Sequence, residues 1–492
     1  LHSSAALGGL AFLAQLPPVS AADAEPAPTP AALRPEIEPL VRLIEDSPRD
    51  KLLEEVGARI KAGLAYREVL AGLLLAGVRN VPPRPSVGFK FHAVLVVNAA
   101  HQAALAAPDR ERWLPLFWAL DNFKSAQAQT AKEDGWRLKP IDDARVPTPE
   151  KARGAFTAAM DEWDVEAADG AAAGLVRTST AGELFDLFAR YGCRDFRDIG
   201  HKAIYVAGAF RALEVIGWQH AEPVLRSLAF ALLHHDGKNP AKADLDPDRP
   251  GRTNVARAAK LAHPLNRVND RAPDATAAVF NSLRTATADE MGAAVADRLA
   301  AAPGARGVWD GLFLGAAELL MRQPGIVSLH ALTTLNALHY AFRTTGDAAL
   351  RNLLLLQAAA FVPLFRDSMA GRGKLGDVKI DELTVREGGA KCTVRDVYAQ
   401  LGRDKAVAAR TALAVLKGSR TGAKELTDEG RRLIFLKGTD AHDYKFSSAV
   451  LEDAALMAPE WRDRFLAASV YWLKSSAAPD SPLVKRTRAA LE

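Results

Sequence analysis

The chain has 492 residues, of which 49% are hydrophobic and 25% charged, with a formal net charge of +4. Those values describe a folded chain with a sizeable core and exclude a disordered or collagen-like protein. The small charge, with no long basic block interleaved with aromatics, argues against a nucleic-acid binder. In "KNPAKADLDPDRPGRTNVARAAK" Asp and Pro interrupt the positives, as in a solvated loop.

The chain begins "LHSSAALGGLAFLAQLPPVSAADAEPAPTPAALRP". A short apolar run of small residues is followed by Pro and by small-x-small patterns near Ala21 and Ala24. This is the grammar of an export signal, too short for a membrane span. Its first residues look like the part of a twin-arginine signal that follows the arginine pair. Residues 1–24 are therefore read as an export-signal remnant, 25–36 as a Pro-rich linker, and 37–492 as one helical domain. Export machinery is the implied partner of the first segment, and a periplasmic or secreted location follows. No other segment reads as a membrane span.

Beyond the linker, alanine and leucine dominate and β-branched runs are few, which predicts an all-α fold. Pro and Gly punctuate it at "VPPRPSVG", "RLKPIDDARVPTPEK", "HHDGKNPAKADLDPDRPG", "AAPGARG" and "RQPG". One stretch, "GKLGDVKIDELTVREGGAKC", alternates between glycines, so a small β-hairpin or a long loop is expected at 374–392. Cys193 and Cys392 are the only cysteines and lie in no CxxC, so they make no disulfide framework, and nothing in the sequence requires the two to pair in an oxidising compartment.

Four segments align on a histidine: "FHAVLVVNAAHQAAL" at His92, "GHKAIYVAGAFRALEV" at His201, "LHALTTLNALHYAFRT" at His330 and "AHDYKFSSAVLEDAAL" at His442. Each is followed by a second helical segment: "DRERWLPLFWAL", "HAEPVLRSLAFALL", "DAALRNLLLLQAAAF" and "PEWRDRFLAASVYWL". The histidines are spaced by 109, 129 and 112 residues. Repeated helical hairpins pack around a common axis in solenoids and toroids. Four histidines at the same place in each unit would then converge, and imidazole is the commonest protein ligand for Fe, Cu, Zn and Ni.

Four neutral imidazoles leave the charge of a divalent ion uncompensated, so an anionic donor is expected beside them. In "AHDYKF", Asp443 is one residue from His442 and points about 100° away on a helix, whereas Lys445, three residues on, shares its face. Burial lowers a lysine's pKa, and a neutral lysine that takes up CO2 becomes a carbamate with an anionic oxygen donor. Lys90 and Lys202 are rival lysines without that spacing. His101 and His339 sit nine residues past two of the four histidines, about two and a half turns, too far to reach the same ion. His220, His234, His235 and His263 fall at loop edges and are expected in solvent. Phe91, Trp113, Phe117, Trp118, Tyr205, Trp218, Tyr444, Tyr471 and Trp472 cluster around the histidines and in the second helices, most of them as core.

The four histidines with a final H-x-x-K resemble the questin oxidase-like family of helical enzymes in aromatic polyketide metabolism. The resemblance implies a non-haem iron held by His92, His201, His330, His442 and a carboxylated Lys445. It also implies a reaction in which O2 oxidises or opens a small aromatic, quinone-like ring. Such a set gives five ligands and leaves one position for O2. Fe(II) is then the expected cofactor, with zinc as the alternative. An exported enzyme departs from the intracellular setting of that family. Two other readings compete: a zinc hydrolase on the same ligands, and a non-catalytic helical-repeat binding protein with structural histidines. A toroidal carbohydrate-active enzyme would need two carboxylates facing a groove, and no such pair can be placed. The sequence contains no P-loop, no dinucleotide-binding glycine fingerprint after a strand, no GxSxG and no HExxH.

Overall fold

A computed structural model describes residues 31–83, 89–105, 107–109, 111–233, 239, 242–261, 273–302, 304–386 and 392–492. The segment read as an export signal and the first part of the linker lie outside the described residues. Among those described there are 22 α-helices and no strand, as the alanine- and leucine-rich sequence predicts. Of the two forms expected at 374–392, the loop is the one found, with 387–391 outside the described residues. Its polar backbone has partners other than a second strand. Gly376 donates to the Arg322 carbonyl at 3.0 Å, and Ile380, fully buried, donates to Glu318 at 3.0 Å.

Four helices form the centre, each with the partner that follows it. They are α1 (Phe89–Leu105) with α2 (Leu114–Glu133), α3 (His201–Ile216) with α4 (Ala221–Leu233), α5 (Ile326–Thr344) with α6 (Ala348–Ala370), and α7 (Ala441–Leu456) with α8 (Pro459–Ser469). The other helices are given by their residue ranges. Apolar residues surround α1, α3 and α5 on nearly every side, which suits helices enclosed by other helices rather than resting on a core by one stripe. Helix α7 is started by Asp440, whose carboxylate accepts the His442 amide at 2.7 Å, while Asp443 accepts the amides of Thr439 and Asp440.

The close packings run α1 on α3, α3 on α5, α5 on α7 and α7 on α1, so the four central helices close a square. They are parallel. Their histidines all fall within the first five residues of their helices. Further along, contacts match position to position: Ser448 bonds the Ala99 carbonyl at 3.1 Å, and Asn336 bonds Glu452 at 2.8 Å. Parallel neighbours need the chain to return between them, and the partner and connecting helices provide that return. Helix α6 is long and apolar enough by length and composition to cross a membrane, and 78% of its most apolar stretch is buried within the fold.

The last part of the Pro-rich segment packs onto the helices. Ala31 is buried and donates to the Leu138 carbonyl at 2.7 Å, and Arg34 donates to the Gln219 carbonyl at 2.9 Å. The anchor is Arg79, 1% exposed, which bonds Glu45 through two nitrogens at 2.6 and 2.7 Å, Glu38 at 2.8 Å and the Ala31 carbonyl at 3.3 Å. Removing one partner of such a buried pair strands the other's charge, at a cost of about 3–5 kcal/mol. Arg79→Ala is therefore expected to lower the free energy of unfolding by an amount of that order, read by chemical denaturation. Arg42→Ala, which removes an exposed pair with the same Glu38, should change it little.

Candidate metal centre

The parallel square brings the four histidines to one point. His92 Nε2 and His330 Nε2 each lie 3.0 Å from His201 Nε2, and the ligand atoms of these three all fall within 4.8 Å of one another. The His442 ring stands 4.4 Å from that of His92 and 5.1 Å from that of His330, centroid to centroid. It closes the square without joining the tight trio. None of the four rings is more than 6% exposed.

The proton inventory of the cluster favours a cation. Burial, then the charge of Lys445 and neighbouring rings, holds His92, His201 and His330 well below the ordinary histidine range, so they are neutral. Burial also lowers His442, against the hydrogen bond it donates to Asp440, which raises it. A neutral imidazole has one N–H and one lone pair. His330 Nδ1 is 2.7 Å from the Ile326 carbonyl, which can only accept, and His442 Nδ1 is 2.6 Å from the Asp440 carboxylate. Both rings therefore carry their proton on Nδ1 and present a lone pair on Nε2. A single proton on His201 Nε2 cannot serve lone pairs on both sides at full strength, whereas a metal ion accepts from every Nε2. A carboxylate or a backbone carbonyl on Nδ1 is also the usual outer support of a metal-bound histidine. These residues fit a metal ion.

Lys445 lies one turn beyond His442, is fully buried, and its Nζ has no hydrogen-bond partner among the described residues. Burial lowers its pKa to about 7, with the Asp440 carboxylate pulling the other way. The rival lysines are engaged elsewhere: Lys90 pairs with Glu133, and Lys202 bonds Asp195 at 2.8 Å. Asp443 faces away from the rings as its spacing predicts, and pairs with Lys474 at 2.7 Å.

His201 is aimed by strained backbone. Asp198, Ile199 and Gly200 have φ of 55°, 46° and 81°, a left-handed turn that is costly for a β-branched residue such as Ile199. The turn is tied down by Arg197, which bonds Asp248 at 2.8 and 2.5 Å with both side chains buried. It also closes on α5, where Thr334 Oγ1 bonds the Ile199 carbonyl at 3.3 Å. A Cβ at Gly200 would stand 2.0 Å from Thr334 Oγ1, so the approach requires glycine twice over, for its φ and for its lack of a side chain.

Two buried aromatic pairs stand on the histidine-bearing helices and their partners, Phe91 against Tyr205 at 5.1 Å and Trp118 against Tyr444 at 4.6 Å. His101 and His339 stay outside the cluster. His101 Nδ1 is 3.2 Å from the Tyr66 hydroxyl, and His339 packs on Trp309 and Phe313. His220, expected in solvent, is instead buried at 6% exposure, because its short 3-10 turn is packed at the start of α4. His234, His235 and His263 lie outside the described residues. Sequence reading missed Asp440, Gly200 and Thr334. "TDAHD" carried the helix-cap signal for the first and "DIGH" a glycine beside a ligand for the second, but nothing marked Thr334.

Two expectations follow. Gly200→Ala should destabilise the fold by about 1–3 kcal/mol from backbone strain and a similar amount from the clash. Adding Thr334→Ala should restore part of the clash cost and none of the strain, as a double-mutant cycle will measure. The second concerns pH. Burial, with Arg343 and Arg211 nearby, lowers His339 to about 3. Unfolding therefore takes up a proton below about 6.5, the ordinary histidine value, and wild-type stability falls as pH drops from there towards 3. Asp453, 3.8 Å away and pushed well above the usual carboxylate range by burial, is present in both proteins compared. Relative to wild type, His339→Leu should gain about 1.4 kcal/mol of stability per pH unit below that point.

No protein-family model matches the chain, and no curated protein or solved structure matches it at a significant level.

Proposed function

We propose that the chain is a mononuclear non-haem iron oxygenase that uses O2 to oxidise or cleave a small aromatic, quinone-like substrate, as its resemblance to the questin oxidase-like family implies. The observation that carries this reading is the meeting of four neutral imidazoles, from four parallel helix starts, around a point that hydrogen bonding alone leaves frustrated. His92, His201, His330 and His442 would hold the ion, with Lys445 as its carbamate supplying the anionic donor. Iron, when bound, supplies the one-electron chemistry that O2 needs to react with a closed-shell ring.

The chain's own residues account for the rest. Asp440 and the Ile326 carbonyl hold the Nδ1 protons of His442 and His330, which fixes both rings and raises the basicity of Nε2. The converging helix N-termini stabilise negative charge developing on oxygen. The four imidazole rings are themselves buried, at no more than 6% exposure, so bulk water is kept from them. The export-like N-terminal segment makes the periplasm or the cell exterior the proposed place of action.

Protein purified without chelators is expected to contain about one iron per chain by mass spectrometry. His201→Ala and His442→Ala should lose it, and His101→Ala should keep it. Bicarbonate enriched in 13C should give a carbamate resonance that is absent in Lys445→Met. Iron-loaded protein should consume O2 with a quinone substrate. One zinc, lost in the same variants, would retain the site and exclude the oxygenase. No stoichiometric metal after anaerobic Fe(II) loading would overturn the reading.

A further inference from the structure

A second set of ligand-binding groups lies away from the histidines, towards the carboxyl ends of the central helices. The later parts of α1 and α7, the end of α5 and the helix Gly422–Lys437 enclose a surface cavity of about 490 Å3. That volume lies within the range of small-molecule sites. Arg343, on its wall, is thirteen residues beyond His330, about 20 Å along α5. The cavity is therefore separate from the histidine cluster.

Arg343, Arg431 and Glu452 are the charged residues of its lining. Glu452 is already satisfied, by Arg211 at 2.9 Å and Asn336 at 2.8 Å. Arg343 has no ion pair among the described residues. The carboxylate beside Arg431 is Asp428, one turn away on the same helix and 3.9 Å distant. With only 30% of its side chain exposed, Arg431 is a partly desolvated cation, and burial lowers its pKa. Such a group gains from an anion brought to it. Gln102 adds an amide that also lacks a partner among the described residues. The carboxyl ends of α1, α5 and α7 reach this rim, each with about half a negative charge. Those partial charges are spread over several carbonyls, whereas a guanidinium meets an acid through direct charged hydrogen bonds.

The rest of the lining sets the body of the ligand. Ala103, Leu105, Leu451, Ala455 and Leu456 are aliphatic, and no aromatic side chain lines the cavity. Leu105 is 67% exposed, the most exposed large hydrophobic residue among those described. A flat ring would find no stacking partner here, whereas a hydrocarbon chain gains by covering these side chains. We propose that this cavity binds a long-chain aliphatic carboxylate, its acid group shared between Arg343 and Arg431 and its chain lying over Leu105 and Leu451. The site is independent of the metal reading, and its ligand class differs from the aromatic substrate of the histidine cluster.

The test is fluorescence titration of the full chain with cis-parinarate, a fluorescent fatty acid, using its methyl ester as the uncharged isostere. Wild type should bind one cis-parinarate, and dodecanoate should displace it. The ester on wild type, and the acid on Arg343→Met or Arg431→Met, should each bind about tenfold more weakly or worse. Arg432→Met removes a charge from the same helix but outside the cavity, and should bind as wild type. Ala455→Trp, at an exposed position of the lining, should abolish binding and keep the wild-type Tm. If that variant does not fold, Leu105→Glu at the exposed rim serves in its place. No saturable binding to wild type, equal binding of acid and ester, or unchanged binding by a folded lining variant would overturn the proposal. Displacement by 2-naphthoate as effective as by dodecanoate would overturn the aliphatic assignment. Flotation with phosphatidylglycerol vesicles separates a free acid from a lipid surface. Vesicle binding that needs Arg343 and Arg431, with no binding of free cis-parinarate, would also overturn it.

Discussion

Four uncharged imidazole rings held against one another at the meeting point of four helix starts are the constraint on which the rest of this structure depends. Each ring must be neutral, because burial and its neighbours make a second positive charge costly there. Each must also be turned so that Nε2 faces inward, and for His330 and His442 a carbonyl and a carboxylate on Nδ1 accomplish this. Only parallel helices bring four N-termini to one end, and only a long chain with outer partners can make four parallel helices neighbours. The size and the repetitive architecture of the protein follow from that requirement.

The cost of the arrangement is concentrated at His201. Its helix starts from three successive residues with positive φ, including a β-branched one, which a free chain would avoid. Buried ion pairs and the Thr334 hydroxyl hold the turn in place, so the strain is met by contacts drawn from a distant segment and from α5. His330 and His442 need no such device, since Gly325 and Asp440 before their helices have ordinary extended backbone.

The two ends of the central helices differ in chemistry. The histidine end holds neutral nitrogens, whereas about ten residues on Arg211 and Glu452 pair, Asn336 bonds Glu452 and Arg211 lies over Tyr340. Helical periodicity makes this layering natural, because a face marked by a histidine recurs every three or four residues along each helix.

The amino-acid sequence by itself determined the helical class, the four hairpins and the histidine in each, since periodicity, composition and spacing are local properties of the chain. It also singled out Lys445 over Lys90 and Lys202, because a shared helix face is fixed by a three-residue step. It left open whether 374–392 would pair as strands, and it placed His220 in solvent, because both depend on which groups other segments offer. The parallel closure of the square, the glycine approach of Gly200 to Thr334 and the Arg211–Glu452 pair across the axis were decided only by tertiary structure. Each joins residues more than a hundred positions apart, and no local pattern encodes which distant surface a helix will meet.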